Sequence, residues 1–471
     1  FSMYYDMNKE LILSDKEYRI EKDSMGELKV PADSHWGSQT QRAIENFQIS
    51  QIKMPSGLIR SLALLKWALS SANAKLGTLT KDKADAIGRV ALEIADGEYA
   101  DQFPVDVFQT GSGTSTNMNM NEVIAHLSSS DKLDIHPNDD VNLGQSSNDI
   151  IPSTINVAST LLINTDLLPA LEHLHTIMDE KAATLNDVVK TGRTHLMDAM
   201  PVTFGQEISA WSAQIKDIKK QLGILQVDIQ QLAVGGTAVG SGVNAHPDLS
   251  SITCKFMNEK TGMNFQPASN TFRSISSQDI SLELSSKTKT LAVILTKIAN
   301  DLRWMNSGPL GGLGEIQLPA LQPGSSIMPG KINPVIPESV SMVAAQVIGN
   351  DTTITMAAQS GNFQLNVMLP LIGFNLIQSI SILSNACNAL ADKAIKDFTV
   401  NYENIESVLN HNPILATALN ESIGYETGAK IVKKAYKEKR SIIDVASELT
   451  DLDKATLKDV LDPLKLTQNK Q

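Results

Sequence analysis

The chain has 471 residues, which is too long for one ordinary globular core and predicts two or three domains. Hydrophobic residues make up 42% of it and aromatic residues only 5%, a balance that favours helix-on-helix packing and predicts an all-α fold. The formal net charge of −12 argues against a surface that binds nucleic acid or anionic membranes, so an anionic substrate would need a local positive site.

The cysteines and the hydropathy pattern indicate the compartment. Cys254 and Cys387 lie far apart and form neither a C-x-x-C motif nor a disulfide framework, which is typical of a reducing compartment. The sequence has no metal-ligand spacing, and no metal and no cofactor are predicted. It also has neither a run of about eighteen apolar residues nor a leader pattern, so a soluble cytoplasmic protein is expected.

The N-terminal part of the chain passes from a polar tail to short strands and then to helices. Residues 1 to about 18 are polar, and the segment from Tyr18 to Gln41 has strand and turn signals without a helical period. Helical periodicity begins near Pro55, with leucines three or four residues apart at Leu58, Leu62, Leu65 and Leu69. A first domain over residues 1–145 is predicted.

The polar loop Gln109–Glu122 reads QTGSGTSTNMNMNE. It is not a dinucleotide-binding fingerprint, because Thr116 stands at the third glycine position and no strand–helix unit surrounds it. Hydroxyl groups and backbone N–H groups near a helix start can bind a carboxylate. The loop is therefore either an anion site or a helix cap without a ligand.

The next polar loop, His136–Asp149, reads HPNDDVNLGQSSND. Its last four residues, from Ser146 onward, precede a helix that Pro152 is predicted to start. Such a run of serine, asparagine and aspartate ordinarily caps a helix.

A third polar segment, Thr191–Glu207, carries His195 in a glycine-containing loop directly before a long helix. A lone histidine is more often structural than catalytic. This position at the mouth of a helical bundle nevertheless suits a proton carrier that works near neutral pH.

Four long helices are predicted in the central part of the chain, over residues 146–397. The first has apolar residues at spacings that alternate between three and four, which is the seam of a left-handed bundle. Its seam consists of Ile208, Trp211, Ile215, Ile218, Leu222, Leu225, Ile229 and Leu232. The second is predicted over Leu284–Leu302, the third begins near Val340, and the fourth follows a kink at Pro370.

Helices of this length have more apolar surface than one chain can bury, which predicts a homo-oligomer, with an elongated monomeric bundle as the alternative. Beyond Phe398 the helices shorten, and a small helical C-terminal domain is predicted over residues 398–471. Its lysines are interpreted as a solvated face: Lys430, Lys433, Lys434, Lys437 and Lys439.

The stretch Gly324–Glu338, GSSIMPGKINPVIPE, is a polar loop that runs into a helix near Pro334. Lys331 supplies a positive charge, Asn333 an amide and Ser325 a hydroxyl, so the loop can close over an anionic substrate.

Two other interpretations of this loop exist. A phosphate-binding loop is disfavoured, because Ile332 stands where serine or threonine must follow the lysine and Ser325 stands where the first glycine belongs. An ordinary surface loop is not excluded by the residues alone.

Four motifs resemble those of one family. GSSIMPGKINP is similar to the signature loop of the fumarase/aspartase superfamily, G-S-S-x-M-P-x-K-x-N. GSGT at Gly111–Thr114, QSSND at Gln145–Asp149 and GRTH at Gly192–His195 resemble the fumarase forms, since aspartases typically have glutamine at the histidine position. The similarity runs from about Tyr18 to the last helix. The chain is identified as a member of this superfamily, in its class II, iron-independent fumarase branch.

The resemblance implies a three-domain fold whose long central helices form a multi-helix core in a homotetramer. It also implies reversible hydration of fumarate to (S)-malate, a citric acid cycle step, through an aci-carboxylate intermediate. The carried-over catalytic residues are Ser325 as the base, His195 as the second proton carrier, and Glu338 as the partner of His195. Lys331 and Asn333 would hold the carboxylate that gains charge.

The remaining residues implied by the resemblance orient the substrate carboxylates: Ser112, Thr114, Ser146, Ser147, Asn148 and Thr194. Each active site would combine loops from three subunits. A secondary dicarboxylate site is implied at His136, Asn138 and Asp139, although Leu133 stands where some members have arginine. The alternative functions are aspartate ammonia-lyase and a non-catalytic structural protein of the same fold.

Overall fold

A computed structural model describes residues 17–468 of the chain. The predicted polar tail therefore lies almost entirely outside the described residues. The described chain is predominantly helical with a few short strands, as the composition predicts.

The α-helices are, in chain order, α1 (Ser38–Asn46), α2 (Ser56–Lys75), α3 (Lys81–Asp96), α4 (Thr114–Ser128), α5 (Ser147–Leu162), α6 (Leu168–Thr184), α7 (Phe204–Ile229), α8 (Leu249–Thr261), α9 (Thr271–Ser276), α10 (Asp279–Met305), α11 (Val335–Ala358), α12 (Leu369–Leu390), α13 (Tyr402–Asn410), α14 (Asn420–Ile423), α15 (Tyr425–Glu438), α16 (Ile442–Leu449), α17 (Lys454–Val460) and α18 (Pro463–Leu466). Short 3₁₀ or π turns occupy Ala100–Gln102, Pro137–Val141, Ile163–Leu167, Ala391–Ile395 and Pro413–Leu419.

The strands pair two by two and build no larger sheet in the described residues. They are β1 (Tyr18–Asp23) with β2 (Gly26–Pro31), β3 (Val189–Thr194) with β4 (Met197–Thr203), β5 (Gln231–Leu232) with β6 (Gln266–Pro267), β7 (Ile316–Gln317) with β10 (Thr399–Val400), and β8 (Gly361–Asn362) with β9 (Leu365–Asn366). All pairs are antiparallel except β5 with β6.

The chain divides into two compact units. Unit 1 comprises the residues up to Leu167 together with Gln221–Lys289 and Gln346–Ile382. Unit 2 comprises Leu168–Lys220, Thr290–Ala345 and the residues from Leu383 onward. The division into domains 1–145, 146–397 and 398–471 stays a prediction.

Unit 1 is organised around α2, which packs against α3, α5 and α8 and buries its four predicted leucines. The strand signals after Tyr18 correspond to the β1–β2 hairpin. Helix α1, however, begins at Ser38, inside the segment expected to lack a helix. The buried carboxylate of Glu122 explains this early start, because it accepts hydrogen bonds from the backbone N–H groups of Gly37, Gln39 and Thr40.

The four long helices form where the apolar periodicity predicts them. All eight seam residues of the first are buried, but α7 ends at Ile229, and Leu232 lies in β5. The predicted kink at Pro370 is wrong, because Pro370 is the second residue of α12. A proline in the first turn lacks only an N–H group that has no intrahelical partner there, so it starts a helix without bending it.

Specific polar contacts join the long helices within each unit. In unit 2, Trp211 on α7 donates to Asp301 on α10 over 3.3 Å. In unit 1, Asp351 on α11 accepts from Lys289 on α10, at 2.6 Å. Asn350 on α11 donates to Ser379 on α12, 3.0 Å away.

One helical stretch of the described residues, Leu369–Ile395, is long and apolar enough to cross a membrane by length and composition alone. Its most apolar window is 67% buried inside the protein, a character that the core helix of a globular protein shares.

The C-terminal helices of unit 2 enclose their own apolar cluster, which includes Leu419, Ile431 and Val445. Of the lysines predicted to form a solvated face, four are exposed, whereas Lys434 is half-buried and pairs with Glu448; the exposed ones are Lys430, Lys433, Lys437 and Lys439. Both cysteines are free and buried.

Candidate active site

In unit 1, a tight loop sets the start of α4. The backbone at Gly111 lies so close to Val367 that a Cβ would be 1.8 Å from its carbonyl oxygen, and Gly113 adopts a φ of 73°. Glycine is therefore required at both positions. The loop holds the hydroxyls of Ser112 and Thr114 2.7 Å apart at the N-terminus of α4, where backbone N–H groups favour an anion.

Helix α5 begins five residues earlier than predicted. Ser146, not the residue before Pro152, is the N-cap: its hydroxyl accepts from the backbone N–H of Asn148, and its own N–H donates to Asp149 over 2.9 Å. Pro152 is instead the sixth helical residue, where it lacks the N–H that would bond to the carbonyl of Asn148.

The three predicted substrate contacts at this helix start have distinct environments. Ser146 is half-buried and serves as the cap. Ser147 is buried, and its Oγ accepts from Nδ2 of Asn117 at 3.0 Å. Asn148 donates from Nδ2 to the carbonyl oxygen of Ala238 at 2.8 Å. The hydroxyl hydrogens of both serines are thereby left available to donate to a ligand.

Sequence reasoning missed the segment that holds this helix start, residues 233–242, with the sequence AVGGTAVGSG. Besides the bond from Asn148, its backbone N–H groups at Gly235 and Thr237 donate to the second carboxylate oxygen of Asp149, at 3.0 Å and 2.9 Å. Three of its glycines and Thr237 have positive φ. The signal that was available is the density of glycine, which allows such a backbone to approach another loop closely.

A second region of unit 1 brings Thr114 together with two residues of the predicted secondary site. Thr114, His136 and Asn138 all line one cavity of about 980 Å³. His136 caps the turn Pro137–Val141, because its Nδ1 accepts from the backbone N–H of Asp139 at 3.1 Å. The carboxylate of Asp139 is exposed and lies 3.2 Å from the same imidazole.

In unit 2, His195 is displayed at the tip of a hairpin. Thr194 at the end of β3 pairs with Met197 at the start of β4, which leaves His195 and Leu196 as the two turn residues. Their φ values of 56° and 60° are those of a type I′ turn, which matches the twist of paired strands. Thr194 and His195 are exposed, so the turn presents the imidazole to solvent within one chain.

A buried ion network supports this hairpin. Lys190 on β3 is 2% exposed, and its Nζ lies 2.8 Å from Glu207 and 2.7 Å from Glu315. Arg193, also on β3, contacts the other carboxylate oxygen of Glu315 at 2.6 Å. Glu315 therefore pairs with two cations of β3, the strand that carries Thr194, and holds that strand in place.

The predicted substrate loop is closed at its base. The backbone N–H of Gly324 donates to the carbonyl of Lys331 at 2.9 Å, and Nδ2 of Asn333 donates to the carbonyl of Gly324 at 2.6 Å. A Cβ on Gly324 would be 2.3 Å from the carbonyl oxygen of Lys331, so glycine is required there. We call residues 324–333 the lid.

Within the lid, Ser325 accepts two backbone hydrogen bonds on its Oγ. The donors are the N–H groups of Ile327 at 3.2 Å and Met328 at 3.1 Å. Donors of this kind stabilise negative charge on an oxygen, as they do in an oxyanion hole. The two N–H groups are therefore placed to stabilise negative charge that develops on the serine oxygen.

The lid and the following helix border a cavity of about 980 Å³, which Lys331, Asn333 and Glu338 line together with Arg303 and Asn306. Ser325 and Lys331 line a second cavity of about 490 Å³. Among the described residues no hydrogen bond joins Glu338 to His195. Within one chain the structure therefore groups Ser112, Thr114, Ser146, Ser147 and Asn148 in unit 1. In unit 2 it groups Ser325, Lys331, Asn333 and Glu338 at the lid, with Thr194 and His195 on the hairpin.

Comparison with known proteins identifies the family. One family model, described as Lyase, matches residues 26–349, and another, described as Fumarase C C-terminus, matches residues 415–468. A class II fumarate hydratase of Xylella fastidiosa is 55% identical over 452 residues, which cover 96% of both chains. The chain belongs to the class II fumarate hydratase family. A Bacillus subtilis protein of this name is 46% identical over 96% of this chain and 100% of its own.

Solved structures confirm the predicted all-α fold of the fumarase/aspartase superfamily. The crystal structure of a class II fumarase from Schistosoma mansoni has a TM-score of 0.93 and 37% identity, covering 96% of this chain and 99% of that chain. The motifs GSGT, QSSND, GRTH and GSSIMPGKINP therefore belong to a class II fumarate hydratase scaffold. The long helices belong to the fold of this lyase family, whereas the candidate residues lie in loops, in a hairpin turn and at helix starts.

Proposed function

We propose that this chain catalyses the reversible hydration of fumarate to (S)-malate. The observation that carries the proposal is the lid, in which Ser325 Oγ accepts two backbone N–H groups and shares one short closed loop with Lys331 and Asn333. Relatives that are 45–55% identical over most of the chain are named class II fumarate hydratases.

The reaction requires a base for a weakly acidic C–H group. In the direction from malate to fumarate, the base removes a proton from the carbon next to a carboxylate, and hydroxide then leaves the neighbouring carbon. The carbanion charge is delocalised into that carboxylate, which becomes a dianionic aci-carboxylate. Fixed donors and a positive charge at this carboxylate lower the barrier most, because the charge develops there in the transition state.

The lid residues supply the base and the stabilising groups. Ser325 takes the carbon-bound proton, and the N–H groups of Ile327 and Met328 stabilise its oxygen. Lys331 and Asn333 bind the carboxylate that gains charge. Lys331 is exposed and lines both cavities beside the lid, which fits an ammonium group that must reach a ligand.

His195 protonates the departing hydroxyl, and in the direction of hydration it activates water. We propose that Glu338 accepts a hydrogen bond from His195 and orients the imidazole. Since no such bond forms within the single chain, we assign it to two different subunits.

The remaining carboxylate contacts lie at two helix N-termini and on the hairpin. Ser112 and Thr114 at the start of α4, and Ser146, Ser147 and Asn148 at the start of α5, present hydroxyl and amide donors. Thr194 adds a hydroxyl beside His195. We propose that these groups fix the two carboxylates so that the reacting carbons face the base.

We propose that the protein is a homotetramer whose active sites each combine three subunits. The long helices expose large apolar side chains in the single chain, among them Val227 on α7, Val293 on α10 and Met342 on α11. Apolar exposure of this kind along a helix is typical of an interface with another subunit. Sedimentation that gives a monomer at micromolar concentration would refute the assembly.

His136, Asn138 and Asp139 are proposed as a secondary dicarboxylate site, and the first two share a cavity with Thr114. Leu133 carries no charge, so it does not supply the cation that would be expected beside the two carboxylates of a bound ligand. We also propose that the protein acts in the cytoplasm, in the citric acid cycle.

One assay tests the function. The purified chain is mixed with fumarate, and loss of the ultraviolet absorbance of its double bond is followed. A parallel reaction with aspartate is assayed for ammonia. Hydration without ammonia release is expected, whereas ammonia release would assign the chain to the aspartate ammonia-lyases, and inactivity with both would refute an enzymatic role on these substrates.

A further inference from the structure

Lys66 is a buried cation that the proposed mechanism does not use. It lies in the middle of α2 and is 1% exposed. Its Nζ donates to Oε1 of Gln145 at 2.7 Å and to Oδ1 of Asn142 at 3.1 Å, two neutral acceptors. No ion pair joins it to a carboxylate within the residues that the structure describes. A buried charge without a close counter-charge is costly, so an anion that arrives nearby would relieve the cost.

A chain of amides connects Lys66 to the start of α5. Oδ1 of Asn142 also accepts from Nδ2 of Asn117 at 3.1 Å. The other N–H of Asn117 is directed at Ser147, whose Oγ lies 3.0 Å away. The ammonium group favours this orientation of the Asn142 amide, whose Oδ1 also accepts from Nδ2 of Asn121 at 3.2 Å and whose Nδ2 donates to the carbonyl oxygen of Gln145 at 3.3 Å.

The orientation of these amides determines how Ser147 can bond. Since Oγ of Ser147 accepts from Asn117, its own O–H remains available to donate to a second group at the helix start. Reversing the amide of Asn117 would offer an acceptor to Ser147 and turn that O–H inward. A donor at this position suits a carboxylate ligand, and an inward O–H does not.

We propose that Lys66 is a positioning residue for the substrate: its ammonium group aligns the Asn142–Asn117–Ser147 chain and supplies buried positive charge behind the helix start that binds a carboxylate. This inference rests on the proposed function. It follows that a dicarboxylate binds more tightly when Lys66 is protonated and that binding draws a proton onto it.

The surroundings of Lys66 allow this linkage near neutral pH. Burial lowers the pKa of Lys66 from its ordinary 10.5 to about 7, and the charged group that opposes this shift is Asp149. The groups that contact its ammonium are the neutral amides of Asn142 and Gln145.

Asp149 does not replace an anionic ligand. Its carboxylate already accepts from the backbone N–H groups of Ser146, Gly235 and Thr237. The interaction with Lys66 is therefore long-range, and Asp149 is committed to holding two loops.

The first experiment measures proton uptake and needs no change at Lys66. Isothermal titration calorimetry of the assembled full-length protein with succinate, in buffers of different ionisation enthalpy, gives the protons bound per site. The His195→Asn variant is titrated as well, so that uptake by the imidazole is removed. Uptake that is greatest between the Lys66 pKa of about 7 and a pH about one unit higher, in both proteins, is expected. Absence of such uptake, or absence of succinate binding, would overturn the proposal.

The second experiment changes the charge. Lys66→Met keeps the length of the side chain and should raise the KM for malate about tenfold, the change that corresponds to one pKa unit of linkage, with kcat within a few-fold of the wild type. The matched control is Lys83→Met on α3. Lys83 pairs with Asp140 at 2.6 Å and carries the same charge without contacting the amide chain, so its KM should be unchanged.

A double-mutant cycle with Ser147→Ala distinguishes positioning from a general structural effect. If Lys66 acts through Ser147, the two changes in KM are not additive, and the proton uptake of wild type is missing in Lys66→Met. Additive effects, equal effects of Lys83→Met, or a kcat loss without a KM change would each contradict the proposal. If Lys66→Met does not fold, the calorimetry on the wild type and on His195→Asn tests the proposal instead. If the wild type hydrates no fumarate, the proposed function is refuted. The succinate titrations still test the proposal about Lys66, because they measure binding and proton uptake without turnover.

Discussion

Asn148 donates from Nδ2 to the carbonyl oxygen of Ala238 over 2.8 Å, which joins a predicted substrate-binding residue to the glycine-rich segment 233–242. Asp149, the next residue, binds the same segment through two backbone N–H groups. The helix start that presents Ser147 and Asn148 is thus held by a segment with no predicted substrate contact. Changes in residues 233–242 are expected to alter substrate binding indirectly.

The Ser325→Ala variant removes the proposed base while leaving the lid closed, because the closing bonds are made by Gly324, Lys331 and Asn333. We expect turnover to fall roughly 10²- to 10⁴-fold with unchanged melting temperature, the range for a lost acid–base group. Steady-state kinetics with malate measure this. Ser326→Ala serves as the control, since Ser326 is exposed and lies in the same loop. Turnover like that of wild type in Ser325→Ala would remove Ser325 from the mechanism.

The His195→Asn variant tests the second proton carrier in a turn that asparagine tolerates. Position 195 has a φ of 56°, and asparagine adopts positive φ more readily than most residues, so the hairpin should keep its geometry. We expect turnover to fall roughly 10²- to 10⁴-fold and the limb of the pH–rate profile that reports the imidazole to disappear. Circular dichroism and thermal melting check the fold. A retained profile would show that another group carries this proton.

The Glu315→Leu variant should destabilise unit 2 strongly. Glu315 is buried and paired with both Lys190 and Arg193, so its removal leaves Arg193 unpaired and Lys190 with Glu207 as its remaining acid. Removing one partner of a buried pair costs about 3–5 kcal/mol. Urea denaturation measures the free energy of unfolding. The control is Arg89→Gln, which breaks an exposed pair with Glu93 and should cost less than about 1 kcal/mol. Equal losses in both variants would contradict this account of the network.

Asp149 should make stability depend on pH in a defined window. Burial raises the pKa of Asp149 from 3.8 to about 6, so the folded state holds the proton more tightly than the unfolded chain. Its contribution to stability is complete below pH 3.8 and is lost as the pH rises through about 6. Relative to Asp149→Asn, the free energy of unfolding of the wild type should fall by up to about 3 kcal/mol across this window. Parallel curves for the two proteins would refute the shift.

Activity should survive removal of divalent metals. Within residues 17–468, no group of three or more His, Cys, Asp or Glu side chains is arranged to hold a metal ion. The proposed chemistry uses a serine, a histidine and fixed donors, so dialysis against EDTA should leave turnover unchanged. Loss of turnover that returns when a metal is added would reveal a metal-dependent step.

The sequence predicted the long helices well because their apolar period is a local property. The seam from Ile208 to Ile229 is helical and buried as expected. The boundary at Leu232 was misplaced because pairing with β6, which lies elsewhere in the chain, replaces the helix there. At Pro152 and Pro370 the sequence reasoning made a proline start or kink a helix, whereas each helix accommodates its proline near its start.

From the sequence alone, residues of the candidate site could be identified only where they belong to short motifs. Ser325 and His195 stand out in short patterns, whereas Lys66 resembles any lysine on an amphipathic helix. Its importance depends on burial and on contacts with residues more than seventy positions away, Asn142 and Gln145. Glu315 was missed for the same reason, because its partners Lys190 and Arg193 come from a distant strand.

The closed base of the lid separates two properties that protein engineers usually change together: the anchoring of the loop and the passage of ligands past it. Because Gly324, Lys331 and Asn333 lock the two ends to each other, side chains between them can be varied at constant loop length without releasing the anchor. A library confined to the side chains of residues 326–328 would therefore alter how quickly small acids enter and leave, while the backbone N–H groups of Ile327 and Met328 still reach Ser325.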